Sequence, residues 1–466
     1  MQKNKIVSIF ILFLFFATTA SAQSDTTVLT YKEYLYSVLS QHPLTKQAEL
    51  KLDDARAELL AAKGNFDPKL SSDWAQKNFD DKLYYRIFSS KLQVPTRLGL
   101  DVVAGYENTE GDFLNPEDNT ANFGLWNIGV EANLLQGLLT DERRTALRQA
   151  RIYQNIAANQ RQVMLNEIVL SASDAYLMWQ KFTEKQIIIE ENIDLAVTYF
   201  NSTRTSFENG EKTAMDTLEA YILEQDAYVL LRKNETKLTK ARQNVENFLW
   251  VNNLPVELQS TTLPESLEDP VFDVSATLIL NDDLTQNPII AEKLNKQAFF
   301  QVEQRLKREK LKPKLKAKFN PLLATSDASI VPIYSPSDYK WGFDFSMPLL
   351  MRSARAGVQK GEIKLQEIAL DIQNKSNELQ NKIENSRQQQ RILNEQIALQ
   401  VQNNEGYRLL LEGENDKFRF GESSVFLLNK RQEKYIDGRM KLVDSQIKLQ
   451  QELLDYLYFT NDLIDE

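Results

Sequence analysis

FENGEKTAMDTLE, Phe207–Glu219, overlaps the end of a run of 72 residues (138–209) that holds neither glycine nor proline. One glycine, Gly210, interrupts the run, and a helical pattern then resumes. A near-copy, FRFGESSVFLLNK, Phe418–Lys430, lies 211 residues later, with Phe207 on Phe418, Gly210 on Gly421 and Glu211 on Glu422. The second copy also overlaps the end of 72 residues without proline, Leu349 to Phe420, although Gly357, Gly361, Gly406 and Gly413 fall within them. A helix over 138–209 would be about 108 Å long at 1.5 Å per residue, far beyond ordinary globular helices. Such a length needs a cause outside ordinary folding.

Two more blocks repeat in the same order. QHPLTKQAELKLDDARAELLAAKGNFDPKL (41–70) aligns without gaps on QNPIIAEKLNKQAFFQVEQRLKREKLKPKL (286–315), and WNIGVEANLL (126–135) aligns on WGFDFSMPLL (341–350). The chain therefore reads as two tandem halves, 23–250 and 284–466, joined by a linker over 251–283 that carries Pro255, Pro264 and Pro270. Each half begins with a moderate helix. In the first half it covers Tyr31 to Ala62, with Leu35, Val38 and Leu39, then Ala48, Leu52, Ala55 and Leu59, at helical spacing. His42, before Pro43, reads as a turn or cap residue.

Strand-like segments follow. Ile128, Val130, Ala132 and Leu134 alternate with polar neighbours, as do Leu315, Ala317 and Phe319 with Lys314, Lys316 and Lys318. Period-2 alternation fits a half-buried strand and fits equally a membrane-barrel strand, apolar toward lipid and polar toward a lumen. Strands are expected near 70–78 and 126–135 in the first half (within about 68–136), and at 314–321 and 341–349 in the second (within about 313–349). Leu100, Val102, Ala104 and Tyr106 form another such face, so the piece 84–106 either displaces one of these strands or is surplus to two strands per half, as an extra hairpin or an enlarged loop. EGDFLNPEDNTANFG, 110–124, reads as an acidic loop.

The start of the chain, MQKNKIVSIFILFLFFATTASAQ, has the charged, apolar and Ala20-Ser21-Ala22 regions of a secretory signal peptide covering 1–22. No later segment reaches ~20 apolar residues. Without Lys3 and Lys5 the balance is 53 basic against 65 acidic residues, which argues against nucleic acid as a partner. One histidine and no cysteine argue against a transition-metal site, and the absence of cysteine rules out a lipidated one. No phosphate-binding glycine loop or nucleophile constellation is present, so neither an enzyme nor a cofactor is expected.

Two tandem copies of helix, strands, long helix, glycine turn and helix behind a signal peptide resemble the TolC-type outer-membrane efflux proteins. The turns Phe207–Leu218 and Phe418–Leu428 look like the family's periplasmic-tip motif. LLQGLLTDERRTALRQA, 134–150, is similar to its strand-to-helix transition. The resemblance implies a mainly α chain with a β-barrel part. Four strands from each protomer of a homotrimer would form a 12-stranded transmembrane barrel in the outer membrane. Below it a long α-helical barrel would cross the periplasm, with the linker packed around its middle. It also implies a passive exit duct that serves an inner-membrane transporter through a periplasmic adaptor. That adaptor would dock at the tip turns, Gly210, Glu211, Gly421 and Glu422. The family often closes its tip with carboxylates, and the matching positions are Asp216 and Glu219 in the first half, with Leu427 and Lys430 in the second. Asp216 is then a gate residue, an outer-groove contact or a solvated tip charge, and Lys430 is a candidate salt-bridge partner for Asp216 or Glu219. A secreted coiled-coil scaffold without a pore is the alternative from another class.

Overall fold

The computed structural model describes residues 27–464, apart from 122, 269, 273–283 and 327–328. The signal peptide lies outside the described residues, as does part of the linker. In chain order the elements are β1 (Thr27–Leu29), α1 (Tyr31–Gln41), α2 (Pro43–Gly64), β2 (Lys69–Phe79), β3 (Lys82–Pro95), β4 (Leu100–Glu110), β5 (Leu125–Asn133), α3 (Glu142–Glu208), α4 (Ala214–Glu246), β6 (Trp250–Val251), β7 (Leu254–Pro255), β8 (Thr262–Pro264), α5 (Pro288–Glu309), β9 (Lys314–Ser326), β10 (Ser329–Ser346), α6 (Arg352–Arg419) and α7 (Val425–Thr460).

The long helices α3 and α6 have 67 and 68 residues, about 100 Å each. Their ends fall within a few residues of the glycine-poor runs. The first moderate helix departs from expectation, because it breaks at His42. Pro43 has no N–H and drives the preceding residue out of the helical region, and His42 sits at φ −65°, ψ 136°. Its Nδ1 accepts a hydrogen bond from the Leu44 N–H at 3.2 Å, so His42 caps α2.

Helix α3 is flanked along its length by shorter helices. α2 packs on its upper part and α4 on its lower part, and α5 and α7 do the same on the opposite side. Near the strands the wall runs α2–α3–α5–α6; toward the tips it runs α4–α3–α7–α6. Where α1 meets the end of α4, Tyr34, Val38, Tyr176, Trp179, Ala241 and Val245 form a buried cluster. The rings of Tyr34 and Tyr176 stack at 5.4 Å.

The described part of the linker binds this same level. β1 pairs in parallel with β8. The Tyr176 hydroxyl donates to the Leu29 carbonyl at 2.7 Å and accepts from the Glu265 N–H at 3.0 Å. Buried Gln450 of α7 holds Phe272 at both backbone groups, accepting from its N–H at 2.7 Å and donating to its carbonyl at 3.1 Å.

Six antiparallel strands form one sheet in the order β10-β9-β5-β4-β3-β2. Four were expected, with 84–106 as a competitor. That segment displaces none of them: it forms β3 and β4, the extra-hairpin alternative, and widens the sheet. Asp80 and Asp81, both at positive φ (53° and 57°), make the tight β2–β3 turn that such a pair of residues favours. Register places Leu92, Val102, Val130, Phe319 and Trp341 on one face, and Lys91, Asp101, Glu131, Lys318 and Asp344 on the other. On the apolar face Trp74, Phe88, Tyr106 and Trp126 form a row of aromatic contacts across four strands. On the polar face buried Glu131 lies between Lys91, at 2.9 Å, and Lys316.

The passage from β5 into α3 is built by one arginine. Arg144 Nη2 donates to the carbonyls of Gly137 (2.6 Å) and Leu138 (2.9 Å), while the Asp141 carboxylate accepts from the Arg144 N–H at 2.7 Å and caps the helix. Gly137, at φ +93°, makes the bend.

Replacing Gln450 with leucine leaves both Phe272 groups without their partner. The expected cost is about 1–3 kcal/mol. It should register as a lower melting temperature, with loss of exchange protection at the Phe272 amide.

Candidate functional site

The two glycine turns have the same construction. In the first, the Glu211 N–H reaches back to the Ser206 carbonyl at 2.8 Å and the Gly210 N–H to the Phe207 carbonyl at 2.9 Å. In the second, Glu422 N–H bonds the Lys417 carbonyl at 2.9 Å and Gly421 N–H the Phe418 carbonyl at 3.1 Å. Each is a Schellman closure, which requires a left-handed residue just past the helix. Gly210 (φ +78°) and Gly421 (φ +76°) supply it, and a Cβ on either would meet nothing within 4 Å. Glycine is therefore needed for its backbone and not for space.

The helices that leave the turns start differently. Thr213 caps α4 in a reciprocal box. Its N–H (3.0 Å) and hydroxyl (2.8 Å) donate to Asp216 Oδ2, and the Asp216 N–H donates back to the hydroxyl at 3.2 Å. The Thr213 N–H, and then its hydroxyl, hold the Asp216 pKa below the usual aspartate range. In the second turn Ser424 caps α7 by accepting from the Leu427 N–H at 3.3 Å, and leucine cannot reciprocate. A different clamp is present there: the Ser423 hydroxyl donates to Glu414 at 2.6 Å, and Arg431 reaches the same carboxylate at 3.5 Å. The Ser423 hydrogen bond leads in lowering the Glu414 pKa.

Lys430 does not bridge the two tips. Its ammonium pairs with Glu433 on its own helix at 2.7 Å, three residues on, where the helical repeat brings them together. Among the described residues it forms no ion pair with Asp216 or Glu219. Lys430 and Glu219 instead stand on the rim of one open groove of about 640 Å³ between α4 and α7. The groove's apolar lining includes Leu223, Leu230, Phe426 and Met440. Glu211 and Glu422 are exposed at the turns. The tips are joined by a contact with no evident sequence signal, the Lys212 ammonium 4.7 Å from the centre of the Phe418 ring.

Above the tips a polar seam ties α3 to α7. Buried Gln432 donates to Asn192 Oδ1 at 2.7 Å. Arg439 pairs with Glu191. Asp444 accepts from Lys181 and Lys185, each at 2.7 Å. Burial works to raise the Asp444 pKa, but the two lysines outweigh it and hold the carboxyl below its ordinary range. Burial pulls Lys185 below the usual lysine range, opposed by Asp444. Both directions follow from one geometry, a partly buried pair with two cations around one anion.

Alanine at Gly210 should cost about 1–2 kcal/mol, the strain of a left-handed residue with a Cβ, and asparagine there should cost less. Hydrogen exchange across 206–217 would separate the two. Acid should also loosen the first tip. The folded-state pKa of Asp216 is depressed, so its cap is fully present above the ordinary aspartate value of about 3.9 and is lost as pH falls through the lowered value. Exchange protection at 213–217 should fall in that window in wild type and should be low at all pH values in Thr213→Ala.

No family model and no curated protein matches the chain. Solved structures do. The Campylobacter jejuni CmeC outer membrane channel superposes with a TM-score of 0.65 at 12% identity, over 92% of this chain and 84% of that one. The open state of the Neisseria gonorrhoeae MtrE outer membrane channel gives 0.64 at 12%, over 92% and 88%. The outer membrane protein VceC of Vibrio cholerae gives 0.63 at 11%, over 92% and 95%. At these identities the likeness is one of fold, and it spans nearly the whole described chain, sheet and helices together. The chain has the fold of the TolC-type outer-membrane channels.

Proposed function

We propose that the protein is the outer-membrane exit duct of an efflux or secretion system, and that it conducts passively as a homotrimer. The observation that carries this reading is the sheet. One face is apolar and exposed, with Trp74, Ile128, Trp341 and Phe345 each more than half exposed. The other is polar, and among the described residues both edges lack a partner strand. In lipid an open edge is forbidden, because no water satisfies its backbone groups. Further copies close the sheet, and the polar face becomes the lumen.

The helices support the same assembly. Exposed apolar residues recur at heptad spacing on the wall's outer members: Ile363 and Leu370, then Ile392 and Leu399, on α6, and Ile222 and Val229 on α4. These stripes suit the flanks of neighbouring copies. Helices of about 100 Å then extend from the outer membrane into the periplasm and end at the glycine turns. An adaptor from an inner-membrane transporter docks at Gly210, Glu211, Gly421 and Glu422 and in the groove beside them. Energy comes from that transporter. Asp216, Glu219 and Lys430 make up the tip gate. The Thr213 box uses Asp216 Oδ2, and no partner is shown for Oδ1 among the described residues, so it is available to the axis. Opening requires the α3–α7 seam at Asp444 to part. A pore-free secreted scaffold would leave the apolar sheet face in water, which favours the duct.

Single-channel recording of the purified mature chain in a planar bilayer tests this. Small cation-preferring currents are expected, larger in Asp216→Ala. Asp444→Asn, which gives up a charge-assisted bond worth about 1.4 kcal/mol, should raise the open-to-closed ratio about tenfold. A chain soluble without detergent that never forms a pore would leave the scaffold.

A further inference from the structure

We infer that all six strands of each copy lie in the barrel wall, so that β2 of one copy pairs with β10 of the next and a threefold assembly closes on 18 strands, not 12. The inference rests on the duct reading above and adds the identity of the pairing edges and the width of the exit.

Three observations support it. First, β3 and β4 are full members of the sheet. Their ladder runs unbroken from Arg86↔Glu110 to Pro95↔Asp101, and they carry the same two faces as their neighbours. Leu92, Val94, Val102 and Ala104 continue the apolar side of Leu70, Ile128 and Val130. A hairpin lying off the wall as a loop would have no cause to keep this alternation.

Second, the hairpin is fastened to the wall on its polar side. Lys91 of β3 reaches across β4 to Glu131 of β5 at 2.9 Å. Asp101, at the base of β4, accepts from Arg143 at the start of α3 at 2.9 Å. Removing the hairpin from the wall would break both and leave buried Glu131 with one cation fewer.

Third, the widths agree. Near the strands each copy presents four helices side by side, α2, α3, α5 and α6. At about 9 Å between axes they span about 36 Å of wall. Strands about 4.8 Å apart, tilted about 40°, each take about 6.3 Å of circumference. Six span about 38 Å, whereas four would span only about 25 Å. The match is a property of one copy and holds whatever the number of copies. The edge strands also sit on the edge helices: α2 leads into β2, and β10 leads into α6. β2 and β10 run in opposite directions, so their pairing between copies continues the antiparallel pattern. With three copies the backbone diameter is about 36 Å, against about 24 Å for 12 strands at the same tilt. The barrel then does not narrow below the helical cylinder that feeds it.

Disulfide trapping tests the edges, and the chain has no cysteine of its own to confuse the result. Ser71→Cys, on the polar face of β2, is combined in turn with Lys340→Cys, Gly342→Cys, Asp344→Cys and Ser346→Cys on the polar face of β10. The variants are made in the full chain, and each is first shown to form pores. Oxidation should give covalent dimers and trimers on a non-reducing gel in at least one register. Ser71→Cys with Asn127→Cys or Asn133→Cys, on β5, should stay unlinked, since two strands intervene. A disulfide within one chain between β2 and β5 would overturn the inference, because it places those strands side by side as a four-strand sheet requires. Pore-forming variants with no link between copies in any register would also overturn it while leaving the duct in place. Variants and wild type that all fail to form pores would count against the duct itself.

Discussion

A sheet with an apolar outer face and two unpaired edges sets a condition that one chain cannot meet. Every strand contributes backbone donors and acceptors, and at β2 and β10 the outward half of them meets no strand among the described residues. In water they would be solvated, but the row of Trp74, Phe88, Tyr106 and Trp126 and the aromatic cluster of β10 would then be exposed at a large cost. In lipid the apolar face is content and the edges are not. Closure with further copies satisfies both, and it fixes what the rest of the chain must do. Whatever follows each strand must continue the same ring, and α2, α3, α5 and α6 do so in the same order as the strands that join them.

The long helices gain little from a deep core, because a one-helix-thick wall has none. Their buried residues are instead narrow seams. Small residues such as Ala48, Ala55, Ala62, Ala150 and Ala157 let neighbouring helices approach closely near the strands. Large aromatic residues gather at mid-height, where Tyr34, Tyr176 and Trp179 meet the linker, and again nearer the tips, where Tyr199 packs with Phe418 and Tyr435. Toward the tips the seam between the two helix pairs is mixed: Gln432 meets Asn192 and Lys185 meets Asp444, while Ile188, Ile436 and Val443 pack among them and Tyr199, Leu411 and Leu428 close together nearer the turns.

Much of this was legible in the sequence, and the limits were physical. Glycine alone tolerates the left-handed residue of a Schellman closure, so Gly210 and Gly421 marked both tips, and the helix ends followed. Thr213-Ala214-Met215-Asp216 also has the spacing of a capping box, which identifies the local role of Asp216. Pro43 excludes His42 from the helical region, so the cap at His42 is legible, although the apolar spacing on either side runs on as if through one helix. Part of the extra hairpin is visible as alternation at Leu100, Val102, Ala104 and Tyr106, but periodicity gives a strand's faces and not its neighbours. Whether two added strands join a sheet is decided by pairings such as Lys91 with Glu131, which sequence does not display. Lys430 was read across the tips by the offset between the two halves, while its nearest carboxylate, Glu433, stood three residues on along its own helix.

The central claim is that the sheet lies in a bilayer and the helices form a hollow wall outside it. Electron cryomicroscopy of the purified chain in lipid nanodiscs tests it most directly. The account predicts a ring of copies whose strands are embedded in the disc, with an open cylinder of about 100 Å projecting from one side only. Particles that ignore the disc, or helices packed into a solid bundle with no lumen, would contradict it.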